Sequence, residues 1–138
     1  MRVLKILGLA VVLSAFGAPA VLAQATNPDM YESNTHFGAI AVANGPPLAY
    51  ASATNYTTQR EASSAARRAC QKKGGQGCQT AINFEDVCGA LASGTDGKWA
   101  VAQAPSKPEA RTAVLAKCKD SGIDGCKVEI VACADEVS

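Results

Sequence analysis

Aromatic residues and histidine are scarce in this sequence. Only 5% of its 138 residues are Phe, Trp or Tyr, although 48% are hydrophobic, and His36 is the single histidine. Much of the hydrophobic content is alanine, which buries little area per residue, so the core contributes less free energy than the percentage suggests. A lone histidine also leaves no second imidazole for a proton relay. The composition therefore calls for an additional source of stability and gives little support to histidine-based catalysis.

Motifs of the common catalytic and cofactor sites are also missing. The sequence has no CxxC redox motif and no GxSxG nucleophile motif. The GGQG stretch follows a predicted helix, whereas a P-loop precedes one, so turn glycines are the better interpretation. The two close cysteine pairs enclose seven residues, which is wider than the usual spacing of zinc ligands. We therefore predict no catalytic residue, no metal and no cofactor.

The N-terminus has the three parts of a secretory signal peptide. Arg2 and Lys5 precede an apolar run from Ile6 to Phe16, and a small-residue segment follows. We predict a signal peptide at residues 1–23, with cleavage after 25 as a second candidate, and a flexible segment at 24–35. An N-terminal membrane anchor is the alternative, although the apolar run is short for a spanning helix. The predicted location is secreted or periplasmic, without a stable membrane anchor.

The charge balance is close to neutral. Removal of Arg2 and Lys5 leaves eleven basic and twelve acidic residues, a formal charge of −1. Nucleic-acid binding depends on a surplus of basic residues, so we predict no nucleic-acid partner. Four basic residues cluster near a predicted helix end, where they complement the helix dipole: Arg67, Arg68, Lys72 and Lys73. A polyanion-binding patch is the alternative explanation of that cluster.

An internal repeat organises the remaining chain. A shift of 48 positions superimposes CQKKGGQGC (70–78) on CKDSGIDGC (118–126), with eight identities in 22 ungapped positions from Glu61 to Ile82. GAIA (38–41) matches GALA (89–92) after a three-residue gap, and Tyr50 aligns with Trp99. We predict a single domain at 36–134, made of two repeats at 37–88 and 89–133.

Each repeat predicts the order strand, strand, helix, strand. Short apolar runs flank turn residues, as in a hairpin. A capping box then marks a helix start, at Thr58 with Glu61 and at Ser106 with Glu109. The fold prediction is therefore α+β, with two pseudo-symmetric repeats, antiparallel sheet and two helices in one small disulfide-stapled domain.

Six cysteines, all after the predicted signal peptide, indicate disulfides in an exported protein. A helix that ends on glycine and reverses into a strand brings together the first and last cysteine of each nine-residue stretch, 70–78 and 118–126. We predict Cys70–Cys78 and Cys118–Cys126 as helix-to-strand bridges, and Cys88–Cys133 as a clasp between the two halves. Fifteen connectivities are formally open to six cysteines.

The order of motifs in this sequence resembles one bacterial family. The motifs are GAIA near the start, a capped helix that ends in cysteine, CGALA at the start of the second repeat, and a second C-x7-C followed by a final cysteine. The family is the exported domain of unknown function 4189 family, and the resemblance covers Phe37 to Cys133. It implies a small secreted or periplasmic α+β domain and carries no catalytic motif. One departure is Phe37-Gly38, where many members have Trp-Gly.

Two function classes follow from these observations. The first is a non-enzymatic binding or interaction module, or an effector, that acts through a protein partner. The alternative is a small secreted hydrolase or toxin with a site between the two repeats. His36, Tyr50 and Trp99 are the surface-site candidates for that alternative, together with an acidic loop residue.

Overall fold

The structure, a computed structural model, describes residues 34–137, so the predicted signal peptide and nearly all of the predicted 24–35 segment lie outside the described residues. The elements repeat the order strand, strand, helix, strand, and the predicted α+β fold is confirmed. They are β1 (Phe37–Ala43), β2 (Ala49–Tyr56), α1 (Gln59–Lys72), β3 (Gln79–Glu85), β4 (Cys88–Ser93), β5 (Trp99–Ala104), α2 (Lys107–Asp120) and β6 (Lys127–Cys133).

Both helices begin at the predicted capping boxes. Thr58 Oγ1 accepts a hydrogen bond from the Glu61 N–H at 3.2 Å, and Ser106 Oγ accepts one from the Glu109 N–H at 3.4 Å. These bonds satisfy backbone donors that have no partner within the first helical turn. Each helix is 14 residues long, so the two repeats build the same element from different interior residues.

A glycine with positive φ ends each helix and reverses the chain. Gly74 has a φ of 92° and Gly122 a φ of 74°, a region that favours glycine because it lacks a Cβ atom. The chain then returns to the partner cysteine, and the structure contains the bridges Cys70–Cys78 and Cys118–Cys126. These two disulfide staples therefore link each helix to the strand that follows it.

The strands form two antiparallel sheets of three strands, one for each repeat. The strand order is β2-β1-β3 in the first sheet and β5-β4-β6 in the second. Each helix packs on one face of its own sheet, and the two other faces pack against each other. The domain therefore has four layers: α1, the first sheet, the second sheet and α2.

Side chains in the two central strands alternate between alanine and larger residues. In β1, Ala39 and Ala41 face α1, whereas Ile40 faces the opposite sheet. In β4, Ala90 faces α2 and Leu91 faces the opposite sheet. Successive side chains of a strand point to opposite faces, so the small residues let each helix lie close to its sheet. The larger aliphatic residues fill the layer between the sheets.

The Phe84 ring fills that layer near its His36 end. The ring of Phe84 lies between Gly38 and Gly89, and a Cβ atom added to either glycine would meet this ring. The two glycines are equivalent in the two repeats. The residue equivalent to Phe84 is Ala132, which is buried in the same apolar cluster. The two repeats therefore differ where they meet.

The structure contains the predicted Cys88–Cys133 bridge, but the bridge does not clasp the two halves together, because both cysteines lie in the second sheet. We expected Cys88 to end the last strand of the first repeat. In the structure β3 ends at Glu85, and the turn at Asp86 and Val87 leads directly into β4. Cys88 is the first residue of β4 and pairs with Cys133 of β6 in the ladder. The bridge therefore joins adjacent strands of one sheet.

The C-terminal tail connects the two halves instead. The Asn55 N–H donates a hydrogen bond to the Ala134 carbonyl at 2.8 Å, and Thr54 Oγ1 donates one to the Glu136 carbonyl at 2.6 Å. The Glu136 carboxylate also forms an ion pair with Lys107 at the start of α2. The tail therefore bonds to β2 of the first repeat and to α2 of the second.

Candidate functional site

Two of the three candidates predicted from the sequence, Tyr50 and Trp99, lie at the same end of the sheet pair. Tyr50 opposes Val42 in the first sheet, and Trp99 opposes Ser93 in the second. Both rings pack on the apolar layer between the sheets. At this end the β1–β2 and β4–β5 loops together line a cleft of about 590 Å³.

The Tyr50 hydroxyl belongs to a polar cluster between the sheets. It donates a hydrogen bond to Glu129 Oε2 at 2.6 Å, and the Ser93 hydroxyl donates one to Glu129 Oε1 at 2.6 Å. Lys127 lies 3.4 Å from the same Oε1. Only 15% of the Glu129 side chain is exposed. Both carboxylate oxygens are therefore bonded, and Glu129 of β6 links β2 of the first sheet to β4 of the second.

These bonds move both pKa values away from the neutral range. The hydrogen bond from Ser93 and then the one from Tyr50 lower the pKa of Glu129, with Lys127 adding to the effect and burial opposing it. The hydrogen bond to Glu129, followed by burial and the nearby negative charge, raises the pKa of Tyr50 to about 12. General acid–base catalysis favours a pKa near the working pH. The cluster is therefore better suited to holding the sheets together than to proton transfer.

Trp99 and His36 also contact residues from other parts of the domain. The Trp99 indole N–H donates a hydrogen bond to Asn44 Oδ1 at 2.7 Å, which ties the two loops together. The His36 backbone N–H donates to Asp86 Oδ1 at 2.7 Å, and its ring Nδ1 lies 3.8 Å from the same oxygen. His36 directly precedes β1, whereas Tyr50 pairs near the other end of that strand. The structure thus brings Tyr50 and Trp99 together and places His36 at the opposite end.

A second cleft lies between the repeats at the His36 end. Its volume is about 450 Å³, and its single ionisable lining residue among those described is Glu85. The remaining lining residues are apolar side chains and carboxamides: Phe37, Gln59, Asn83, Phe84, Val87, Gln103, Ala104 and Pro105. A cleft exists where the hydrolase alternative requires one, but its walls contain neither the candidate aromatic pair nor His36.

The cysteines and acidic residues give no metal centre in the described part of the chain. All six cysteines form disulfides. Within residues 34–137, no three His, Cys, Asp or Glu side chains come together in a way that could hold a metal ion. The same residues contain no helix that is both long and apolar enough to cross a membrane.

The outer faces of the two helices differ most between the repeats. Both faces point away from the sheets, and their positions correspond under the 48-residue shift. On α1 they are Arg60, Ser64, Arg67, Arg68 and Gln71, and on α2 they are Pro108, Thr112, Leu115, Ala116 and Lys119. Leu115 is 38% exposed, a high value for a large aliphatic side chain. One scaffold therefore presents an arginine-rich face and an apolar face.

Equivalent clefts flank these two faces, beside the start of each helix. The cleft of the first repeat, about 540 Å³, is lined by Asn55, Tyr56, Thr57, Arg60, Glu61, Ser64 and Arg68. That of the second repeat, about 490 Å³, is lined by Ala104, Pro105, Pro108, Glu109, Thr112 and Ala113. The two helix faces and these clefts are the candidate binding surfaces of the domain.

Comparison with known proteins identifies a family. The family model described as Domain of unknown function (DUF4189) matches residues 37–133. The chain belongs to this family. Searches of curated proteins and of solved structures find no match. The DUF4189 match covers both repeats, from the first residue of β1 to the last residue of β6.

Sequence reasoning did not single out two features of this DUF4189 domain. Glu129 is separated from Tyr50 by 79 residues and from Ser93 by 36. Its substitution for Ala81 in the repeat alignment was the available signal, because a carboxylate there needs partners. The apolar outer face of α2 was visible as Leu115 at the position of Arg67, once the two helices were aligned.

Proposed function

We propose that the protein is an exported, non-enzymatic binding module and that a protein partner docks on the outer face of α2. The observation that carries this proposal is the apolar composition of that face. Pro108, Thr112, Leu115 and Ala116 form its centre, and Leu115 is the large hydrophobic side chain most exposed on either helix. Exposed apolar patches on soluble domains are typical of interaction surfaces.

The first repeat supports a specific role for this face. At the positions equivalent to Pro108, Leu115 and Ala116, helix α1 has arginines, and it still forms a helix of the same length with the same cap. The scaffold therefore does not require apolar residues there. Their presence on α2 favours selection for a contact outside the domain.

Basic residues at the edge of the face define the chemistry of the partner. Arg111 and Lys119 are exposed and lie beside the apolar centre. Interfaces pair an apolar core with a polar rim of complementary charge. The proposed partner is therefore a protein surface with an apolar ridge and an acidic rim.

The surroundings of the candidate catalytic groups support a non-enzymatic role. The Tyr50 hydroxyl and the Trp99 indole N–H are each engaged in a hydrogen bond to another part of the domain, and the His36 ring lies 3.8 Å from Asp86 Oδ1. Tyr50 and His36 also lie at opposite ends of β1. Export is supported by the signal-like N-terminus and by the three disulfides, which are compatible with an oxidising compartment.

Site-specific photo-cross-linking tests the proposal. A benzoyl-phenylalanine would be introduced at position 115, and at the equivalent position 67 as the matched control, in cells that produce the full chain. We expect one cross-linked protein from position 115 and none from position 67. Arg111→Glu combined with Lys119→Glu should abolish the adduct, because both charges would then repel the acidic rim.

Two outcomes would contradict the proposal. One is equal cross-linking from positions 115 and 67, which would indicate non-specific contact. The other is an adduct whose yield is unchanged by the double charge reversal, since the partner would then lack the acidic rim. Far-UV circular dichroism of each variant checks that α2 is intact.

A further inference from the structure

The cleft beside α1 contains two arginines, whereas the equivalent cleft beside α2 contains none. The first of these clefts lies between α1 and the end of β2, and its volume is about 540 Å³. Arg60 and Arg68 are two helical turns apart on the same face, with Ser64 between them. The half-buried ring of Tyr56 packs on the core beside them and forms one wall of the cleft.

The geometry points to a binding site for a ligand with two oxyanion groups, phosphate or carboxylate. Guanidinium groups bind both oxyanions through paired N–H donors. At a rise of 1.5 Å per residue, the Cα atoms of Arg60 and Arg68 are about 12 Å apart along the helix. Two side chains at that separation match two anionic groups better than one. We propose this site independently of the partner surface on α2.

The two arginines are differently held. Arg68 Nη1 donates a hydrogen bond to Ser64 Oγ at 2.8 Å, which orients this guanidinium along the cleft. Arg60 makes no hydrogen bond or ion pair with any residue that the structure describes. One cation is therefore positioned in advance, and the other has its donors available for a ligand.

Glu61 is the acidic residue in the cleft, and its role is structural. Its carboxylate accepts a hydrogen bond from Thr57 Oγ1 at 3.2 Å, and its N–H bonds to the cap residue Thr58. The second repeat has the equivalent Glu109 in the same capping role, without the arginines. Glu61 therefore belongs to the common scaffold, and the cleft keeps an excess of positive charge.

The second repeat also shows that the fold does not need these arginines. The positions of Arg60 and Arg68 are occupied there by Pro108 and Ala116, and α2 has the same length and the same type of cap as α1. A structural requirement would have to apply to both helices. Paired cations on one of two equivalent scaffolds are better explained by a ligand.

Titration of the oxidised full chain tests the site. The probes are fructose 1,6-bisphosphate and adipate as two-group ligands, with inorganic phosphate as the single-group control. Calorimetry at low ionic strength gives the affinities, and amide NMR shifts locate the site. We expect the better two-group probe to bind at least ~10-fold more tightly than inorganic phosphate, because a second charge-assisted contact forms. Its shifts should centre on residues 55–68. The two-group probe that binds more tightly identifies the ligand as a phosphate or a carboxylate.

The variants separate a site from general charge attraction. Arg60→Ala with Arg68→Ala should weaken the two-group probe at least ~10-fold, and Arg68→Lys should weaken it less because the charge remains. Lys98→Ala with Lys117→Ala removes the same charge elsewhere and should leave the affinity unchanged. The thermal unfolding of each variant shows that the domain remains folded.

Several results would overturn the proposal. One is an equal loss of binding in the two double variants, and another is an unchanged affinity in the arginine variant. The others are an affinity for inorganic phosphate equal to that for the two-group probes, and no binding of either two-group probe. The cross-linking at position 115 does not depend on Arg60 or Arg68. Failure of the anion site and failure of the partner surface are therefore distinguishable.

Discussion

The two repeats share a scaffold and differ in the surfaces that they present. The shared positions set the backbone: capping boxes, the glycines that end the helices, the disulfide staples and the alanines between helix and sheet. The differing positions lie on the outer helix faces and between the sheets. The repeats therefore share the residues that determine local structure, and they differ at residues on the outer surface and at residues that meet the other half.

The layer between the sheets shows the same division. Tyr50 is bonded to Glu129, whereas its counterpart Trp99 packs in the same layer as Ala81, the residue equivalent to Glu129. One side of the layer is held by a charged hydrogen bond and the other by apolar contact. Equivalent positions of the two repeats therefore stabilise the layer by different interactions.

The largest effect should come from the buried Phe84 ring. Phe84→Ala removes a ring from a buried site, and we expect a loss of about 3–5 kcal/mol in the free energy of unfolding. Gly89→Ala should cost about 1–3 kcal/mol because its Cβ meets that ring. Urea unfolding of the oxidised protein measures both.

The double variant sharpens this test. With Phe84→Ala present, Gly89→Ala should cost much less, because the new Cβ then has room. Strictly additive losses would show that the ring and the glycine do not share the space that the structure assigns to them.

The three disulfides should differ in how much they stabilise the domain, with one large contribution and two smaller, equal ones. The Cys88–Cys133 bridge spans 45 residues of sequence separation, whereas each staple spans 8. In the chain-entropy account, replacing the long bridge by two alanines costs about 4 kcal/mol, and replacing either staple costs about 2.5 kcal/mol. Urea midpoints of the three double variants measure this order. Unequal costs for the two staples would contradict the equivalence of the repeats.

The smallest effect concerns pH. The depressed pKa of Glu129 contributes stability that is present above the unfolded value and is lost as the pH falls through the folded value. The pKa of Tyr50, raised to about 12, contributes stability that is present below pH 10 and is lost as the pH rises toward 12. We expect about 1–2 kcal/mol on each side, given the partial burial of this pair.

Two variants assign these losses to their residues. Glu129→Gln should reduce the loss of stability in acid, with the remainder due to Glu136, whose pKa is lowered mainly by Lys107. Tyr50→Phe should remove the loss on the alkaline side. Unfolding free energies across the pH range measure both. An unchanged acid slope in Glu129→Gln would show that the carboxylate is not held as described.

The sequence predicted what depends on near neighbours along the chain. The caps at Thr58 and Ser106, the glycine helix ends and the two staples each involve residues a few positions apart, so spacing alone indicates them. The repeat then strengthened each assignment by showing it twice.

The remaining features depend on packing between distant segments. Cys88 could be assigned to its strand only once the turn at Asp86 and Val87 was seen. Glu129 meets Tyr50 because one sheet lies on the other, which no local pattern encodes. The basic cluster at Arg67 and Arg68 had two interpretations in the sequence, the helix dipole and a polyanion patch, and the cleft that Arg68 lines with Tyr56 could be recognised only from the fold.

The single ring between Gly38 and Gly89 also bears on how such a chain can evolve. A protein made of two identical first halves would bring two copies of residue 84 to a space that holds one aromatic ring. Fusion into one chain lets one copy stay large and the other become Ala132. With Phe84 in one half and Ala132 in the other, the two halves are not exchangeable.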